Sequence, residues 1–262
     1  MKKAFILMFF VILSAGAAYA TEIISHRGYW DTAGSAQDSV TSLTNAHNIK
    51  AYGSEMDVYI TTDNVVVVNH DAALWGISIE NNSWDRISQT RLPNGEDLPT
   101  FEKYISAHKE LGGDTKLIIE VKRNINSQND KRVVDAVLAL VKKYGVEDKV
   151  EYASLGIDIC DMIAAKAPKG TAVVYLAGNL SPKKLKKHRV TGFNYPAEVM
   201  MLNPNWIKQA KKRGLTSGAW TVNDREKLQW CIDRKVDFVT TDKPVLLREM
   251  IENKKVKSGS EK

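Results

Sequence analysis

No apolar run in this sequence is long enough to span a bilayer, which takes about 20 residues. The run from Ala4 to Leu13 falls short of that, follows Lys2 and Lys3, and precedes Ala18-Tyr19-Ala20. A positive start, a short apolar core and an A-x-A site are the marks of a cleaved signal peptide. Residues 1–20 are therefore expected to be removed. The mature chain from Thr21 would be exported, periplasmic or secreted, with no stable membrane anchor. No cysteine directly follows the apolar segment, so attachment through an acylated cysteine is not indicated.

Cysteine is scarce, with two in 262 residues. Cys160 and Cys231 fall in helix-like segments after the fourth and seventh strands read below, which are not neighbours in a ring. Both are expected as free, buried thiols, although an exported protein permits disulfides. Excess charge is modest too: the net charge is +6, and loss of Lys2 and Lys3 takes it to +4. That is too mild to indicate a nucleic-acid partner. The basic run from Lys183 to Arg189 reads as a solvated helix face. A Gly-x-Ser-x-Gly elbow and a nucleotide-binding glycine pattern are both missing, which removes the usual serine-hydrolase and dinucleotide readings. No repeat, low-complexity stretch or linker divides the chain. One domain over residues 21–252 is expected, followed by a disordered polar tail at 253–262.

What is present is alternation. Apolar strand-like runs occur at Glu22–His26, Tyr52–Ile60, Lys116–Val121, Lys149–Ser154, Thr171–Leu176, Val190–Tyr195, Leu215–Trp220 and Val236–Thr240. Amphipathic helical patterns lie between them, at Ser39–Lys50, Thr100–Leu111, Asp130–Tyr144, Ile157–Lys166, Asn205–Lys212 and Asp224–Lys235. Eight strands with intervening helices predict an α/β fold, a (β/α)8 barrel. The run VVVVNH at 65–70 adds a hairpin insertion after strand two. A two-residue loop at Asp63-Asn64 would pair Thr62 with Val65 and set Asp57 opposite His70.

Barrels of this class work at the C-terminal ends of their strands. Those ends carry His26 and Arg27 on strand one, Glu55 and Asp57 on strand two, and Glu120 and Lys122 on strand three. His70 joins them from the hairpin, and Trp220 ends strand seven. Alternation puts Glu55 and Asp57 on one face. Three carboxylates brought together raise one another's pKa, and a hard divalent cation such as Ca²⁺ or Mg²⁺ relieves that cost. Lys122 and Arg27 could instead neutralise them as an ion-pair network. His26 and His70 can supply a proton acceptor and a proton donor, and Arg27 and Lys122 suit a phosphate. His47, His108 and His188 fall on helical patterns and are expected at the surface. Together these groups match a phosphoryl transition state, whose charge spreads over oxygens. Hydrolysis of a phosphodiester fits them better than that of an amide or ester.

The segments SHRG at 25–28, SEMDV at 54–58, VVVVNHD at 65–71, LIIEVK at 117–122, AWTVN at 219–223 and TTDKP at 240–244 resemble the glycerophosphodiester phosphodiesterase family. LPTF at 98–101 resembles its segment before the next helix. The resemblance runs in order across nearly all of the mature chain. It implies a barrel like that of phosphatidylinositol phospholipase C, hydrolysing a small-molecule glycerophosphodiester to glycerol 3-phosphate and an alcohol. It further implies Glu55, Asp57 and Glu120 as ligands of Ca²⁺ or Mg²⁺, and His26 and His70 as the acid/base pair. Arg27 and Lys122 would contact phosphate, and Trp220 would line the substrate pocket.

Two departures stand out. Where the family carries Pro-Glu-Asn-Thr, this chain has Ala36-Gln37-Asp38-Ser39, and after His70-Asp71 the family's Arg and Thr are missing. The loop from Ala72 to Pro99, with Trp75 and Trp84, is expected to cover the site and bear on substrate choice. An apolar rim there would favour a lipid substrate, a polar one a soluble diester.

Overall fold

The structure is a computed structural model and describes residues 21–259. The signal-like segment lies outside them. β1 (Glu22–Ser25) leads through α1 (Val40–Asn48) to β2 (Gly53–Ile60), which turns back as β3 (Val66–Val68). The insertion that follows holds β4 (Ala73–Leu74), β5 (Ile77–Ser78) and α2 (Trp84–Ile87). Regular alternation resumes with α3 (Phe101–Leu111), β6 (Lys116–Val121), α4 (Ser127–Tyr144), β7 (Val150–Ser154), α5 (Ile157–Lys166) and β8 (Val173–Tyr175). Then come α6 (Pro182–Leu185), β9 (Gly192–Pro196), α7 (Ala197–Leu202), α8 (Asn205–Lys211) and β10 (Thr216–Trp220). The chain closes with α9 (Arg225–Arg234), β11 (Phe238–Thr241) and α10 (Pro244–Gly259).

Eight parallel strands form the ring in the order β1, β2, β6, β7, β8, β9, β10, β11, and β11 pairs back onto β1. This is the expected (β/α)8 barrel. The helices start where the sequence offers side-chain caps. Ser39, Thr100, Asn126 and Asp224 each accept a hydrogen bond from an N–H of the first turn, which satisfies donors the helix itself cannot. All of β2 is buried. Its outward residues Met56, Val58 and Ile60 pack in the apolar layer between strands and helices with Leu43, Phe101, Val133 and Val137. Its inward residues point to the barrel axis. Burial of this apolar layer holds the polar mouth in place.

Several expectations change. The hairpin register is off by one, because Val58 pairs with Val68 and Ile60 with Val66. The loop has three residues rather than two: Thr61 N–H bonds Val65 O, and Asn64 takes a left-handed φ of 67°. Asparagine tolerates that conformation, and a left-handed third loop residue is a common hairpin solution. Asp57 therefore faces Asn69, whose N–H bonds Asp57 O at 3.1 Å, and not His70. Helices α2 and α7 were not anticipated, being too short to display a 3.6-residue period, while α6 falls on the basic run read as a helix face. The last helix runs to Gly259, past the start expected for a disordered tail; its Lys and Glu residues are good helix formers, and Lys254 pairs with Asp233. His108 is buried rather than at the surface and meets His47 Nε2 through its own Nδ1 at 3.1 Å. Cys160 and Cys231 are free and buried, as expected.

Residues 72–99 form a small second core. Ile79, Ile87, Leu92 and Leu98 pack on Tyr59 and Val67, fixing the insertion beside the mouth of the barrel. Among the described residues, no helix is long and apolar enough to cross a membrane.

Candidate active site

Beyond β1 the backbone turns left-handed at Arg27 (φ 53°) and Gly28 (φ 75°). A Cβ on Gly28 would lie 2.3 Å from Ser42 Oγ, so only glycine fits that approach. The turn points Arg27 N–H at Glu55 Oε2, 2.8 Å away. It leaves the Arg27 guanidinium donating to Gln37 Oε1 at 2.5 Å, with Nε 3.7 Å from Asp57 Oδ2. The sequence departure at Gln37 therefore bears directly on the arginine.

Across the β2–β6 pairing Asp57 lies in register with Glu120, and Glu55 shares their face. One carboxylate oxygen from each of the three lies within 4.8 Å of the others. Lys122 Nζ sits 3.1 Å from Asp57 Oδ1 and 3.0 Å from Glu120 Oε1. Glu55 Oε1 and Asp57 Oδ2 are nevertheless buried without a hydrogen-bond partner, while Asp57 Oδ1 is answered by Lys122. Burial pushes the Glu55 carboxyl well above its usual range, and the charges of Asp57 and Glu120 add to the effect. Glu120 is raised to about 7, first by burial and then by Asp57. Asp38 supplies a fourth carboxyl, buried at φ 59°, with Oδ1 3.4 Å from Asp57 N. Burial, then the Asp57 charge, raises it as well. Lys122 loses some affinity for its proton through burial, but Asp57 and Glu120 more than reverse this.

Orphaned carboxylate oxygens converging from two strands fit a hard cation. Lys122 also answers part of the charge, so the two sequence readings coexist at one place. Salt bridges of buried groups are weak evidence for stability by themselves. Here the partnerless oxygens carry more weight, because buried acceptors are ordinarily satisfied.

The two histidines are built alike. His26 Nδ1 lies 2.8 Å from Asp242 Oδ1, and Asp242 also accepts from Trp30 Nε1 (3.0 Å) and Asn223 Nδ2 (2.6 Å). Burial alone would raise Asp242, but the hydrogen bond and charge of His26, then Asn223 and Trp30, hold it below its usual range. His70 Nδ1 lies 2.7 Å from Asp71 Oδ1. A carboxylate only accepts, so each Nδ1 carries hydrogen and each Nε2 is left free to work. Burial lowers His70; the Asp57 charge opposes this, and Lys122 and Arg27 reinforce it.

Two cavities adjoin the carboxylates. One runs along the barrel axis and is lined at its mouth by His26, Glu55, Glu120, Leu176 and Trp220. Trp220 is fixed there by its Nε1 donating to Leu176 O at 3.2 Å. The other is an outer cleft lined by Arg27, Gln37, Asp38, His70, Leu74 and Asn94. All eight residues singled out from sequence thus gather at one end of the barrel. Sequence reading did not assign Asp71, Asp242, Trp30 or Asp38. Asp71 and Asp242 were visible as acids in the segments NHD and TTDKP, but a spatial partner 216 residues away leaves no trace in local pattern.

The model of the Glycerophosphoryl diester phosphodiesterase family matches residues 26–246. A curated glycerophosphodiester phosphodiesterase from Caldanaerobacter subterraneus is 22% identical, covering 88% of this chain and 98% of that protein. The crystal structure of a glycerophosphodiester phosphodiesterase from Parabacteroides distasonis superposes with a TM-score of 0.87 at 39% identity, over 90% of this chain and 98% of that one. An Oleispira antarctica phosphodiesterase, solved with the product sn-glycerol-3-phosphate, has a TM-score of 0.75 at 19% identity, over 89% and 98%. At that identity the likeness concerns the fold.

Proposed function

The chain belongs to the glycerophosphoryl diester phosphodiesterase family and is a phosphoric diester hydrolase; from that premise we propose that it is exported and hydrolyses glycerophosphodiesters to glycerol 3-phosphate and an alcohol with the help of a divalent cation. The observation that carries the reading is the trio Glu55, Asp57 and Glu120, with partnerless oxygens beside two histidine–aspartate pairs.

Glu55, Asp57 and Glu120 would hold Ca²⁺ or Mg²⁺, since an all-oxygen set suits a hard cation. Bound there, the cation would neutralise the cluster and polarise the phosphoryl oxygens. Arg27 presents a planar fork to the phosphate, and Gln37, being neutral, holds that fork without cancelling its charge. Lys122 adds a point charge from the floor of the mouth. His70, kept mostly neutral near pH 7 by its surroundings, takes a proton through Nε2 from the oxygen of the attacking water. A new P–O bond forms to that oxygen as the P–O bond to the alcohol breaks. His26, with Asp242 as a carboxylate partner for its imidazolium, returns a proton to the departing alkoxide. Trp220, beside His26 at the mouth of the axial cavity, walls the side where that alcohol leaves.

The test is a substrate panel. Glycerophosphodiesters with choline, ethanolamine, glycerol and inositol headgroups should release glycerol 3-phosphate in Ca²⁺ or Mg²⁺, and lose that turnover in excess chelator. Absence of glycerol 3-phosphate from every member would overturn the reading.

A further inference from the structure

Beneath the carboxylates the barrel is not filled. Barrels of this class ordinarily stack layers of bulky side chains along the axis. Here Ala153 on β7 and Ala172 just before β8 line the interior, and a cavity of about 240 Å³, its mouth included, opens along it. Its walls are largely apolar, with Ile118, Val174 and Phe193 added to the two alanines. At the far end lie Tyr52 and Glu151, whose Oε1 accepts from Tyr52 OH and from Lys116 Nζ, each at 2.5 Å. That floor is already paired and asks nothing of a ligand. An apolar cavity of about 150 Å³ holds benzene, so this one has room for an alkyl chain of about eight carbons.

The outer surface points the same way. Among the described residues eight large hydrophobics are well exposed, and six of them lie on segments that follow the C-terminal ends of strands. They are Trp75 (69% exposed), Ile125 (61%), Leu155, Met201, Leu202 (82%) and Val245. Exposed apolar side chains on such segments suit substrates drawn from a lipid–water boundary.

We propose that the axial chamber receives an apolar chain borne by the leaving alcohol, so that the preferred substrates are glycerophosphodiesters whose second alcohol carries an alkyl or acyl chain. The proposal rests on the phosphodiesterase reading above, with His26 and Trp220 on the leaving side. The chain enters past Trp220 and runs down past Val174, Ala172 and Ala153. The phosphate stays at the mouth with Arg27 and the carboxylates.

A homologous series of sn-glycerol 3-phosphoalkanols, from ethanol to decanol and kept monomeric, tests it in the full mature enzyme. Release of glycerol 3-phosphate should show kcat/KM rising about three- to fourfold per methylene, as burial of a methylene predicts, and levelling near eight carbons. In Ala153→Leu and Ala172→Leu the ratio of octanol to ethanol diester should fall toward one. Calorimetry with free n-octanol gives a readout without turnover: binding to the wild type and its loss in Ala172→Leu are expected. A flat series with active ethanol diester would overturn the chamber and leave the hydrolase reading standing. If no member is cleaved, the hydrolase reading falls, and octanol binding alone then decides for or against the chamber.

Discussion

One side of the barrel, from β1 through β2 to β6, presents His26, Arg27, Glu55, Asp57, Glu120 and Lys122 to its mouth; the other, from β7 through β10, presents mainly Ala153, Val174, Leu176 and Trp220, with Glu151 and Asn194 among them. Both halves share the same outer apolar layer, so the difference lies wholly in the inward residues. The charged half is costly to bury, as the raised Glu55 and Glu120 carboxyls record. The apolar half costs little. On the proposed reading, chemistry and choice of substrate fall on opposite walls of one fold.

The largest effect comes from breaking the charged wall. His26→Ala and His70→Ala should each lower kcat by about 10²–10⁴-fold, the usual contribution of a positioned acid or base, with unchanged circular dichroism. Near-wild-type turnover in either variant would remove that histidine from the mechanism. In the parent enzyme the acid limb of kcat/KM should lie below pH 6.5. Burial, against the pull of Asp57, lowers His70 from its ordinary value, and the base must be neutral to act. That limb should vanish in His70→Gln, and a limb persisting there would assign it elsewhere.

A smaller effect sharpens the contrast from within the charged wall. Gln37→Glu would set a second charge on the Arg27 fork, in competition with phosphate. We expect KM to rise about fivefold, roughly 1 kcal/mol of lost binding, with kcat little changed. An unchanged KM would mean that Gln37 does no more than pack beside the arginine.

Most of the charged wall was legible because β-strand alternation is rigid. Once Glu55 and Asp57 are on a strand they must share a face, and the parallel register with Glu120 follows from adjacent strands. The hairpin was less legible, because loop length depends on whether one residue, Asn64, accepts a left-handed φ. A one-residue slip moved the partner of Asp57 from His70 to Asn69, yet His70 still borders the site through the outer cleft. Of the apolar wall, only Trp220 could be read. Ala153 and Ala172 look like ordinary strand residues, and only closure of the ring shows that nothing opposite fills the space they leave. Asp242, 216 residues from the His26 it orients, needed the folded geometry too, whereas Asp71 directly follows His70.

The central claim, that one wall gathers carboxylates for a hard cation, is tested most directly by thermal unfolding against pH, with chelator and with Ca²⁺ or Mg²⁺. A carboxyl whose pKa is raised on folding stabilises the protein below its unfolded value, and that stability is lost as pH climbs through the folded value. With Glu120 raised from 4.5 to about 7, the chelated protein should weaken between those pH values, by on the order of 3 kcal/mol, or roughly 6–12 °C in Tm. Added cation should restore Tm at pH 7.5 and do little at pH 4.5, and Glu120→Gln should blunt both effects. A Tm indifferent to Ca²⁺ and Mg²⁺ at every pH would contradict the account.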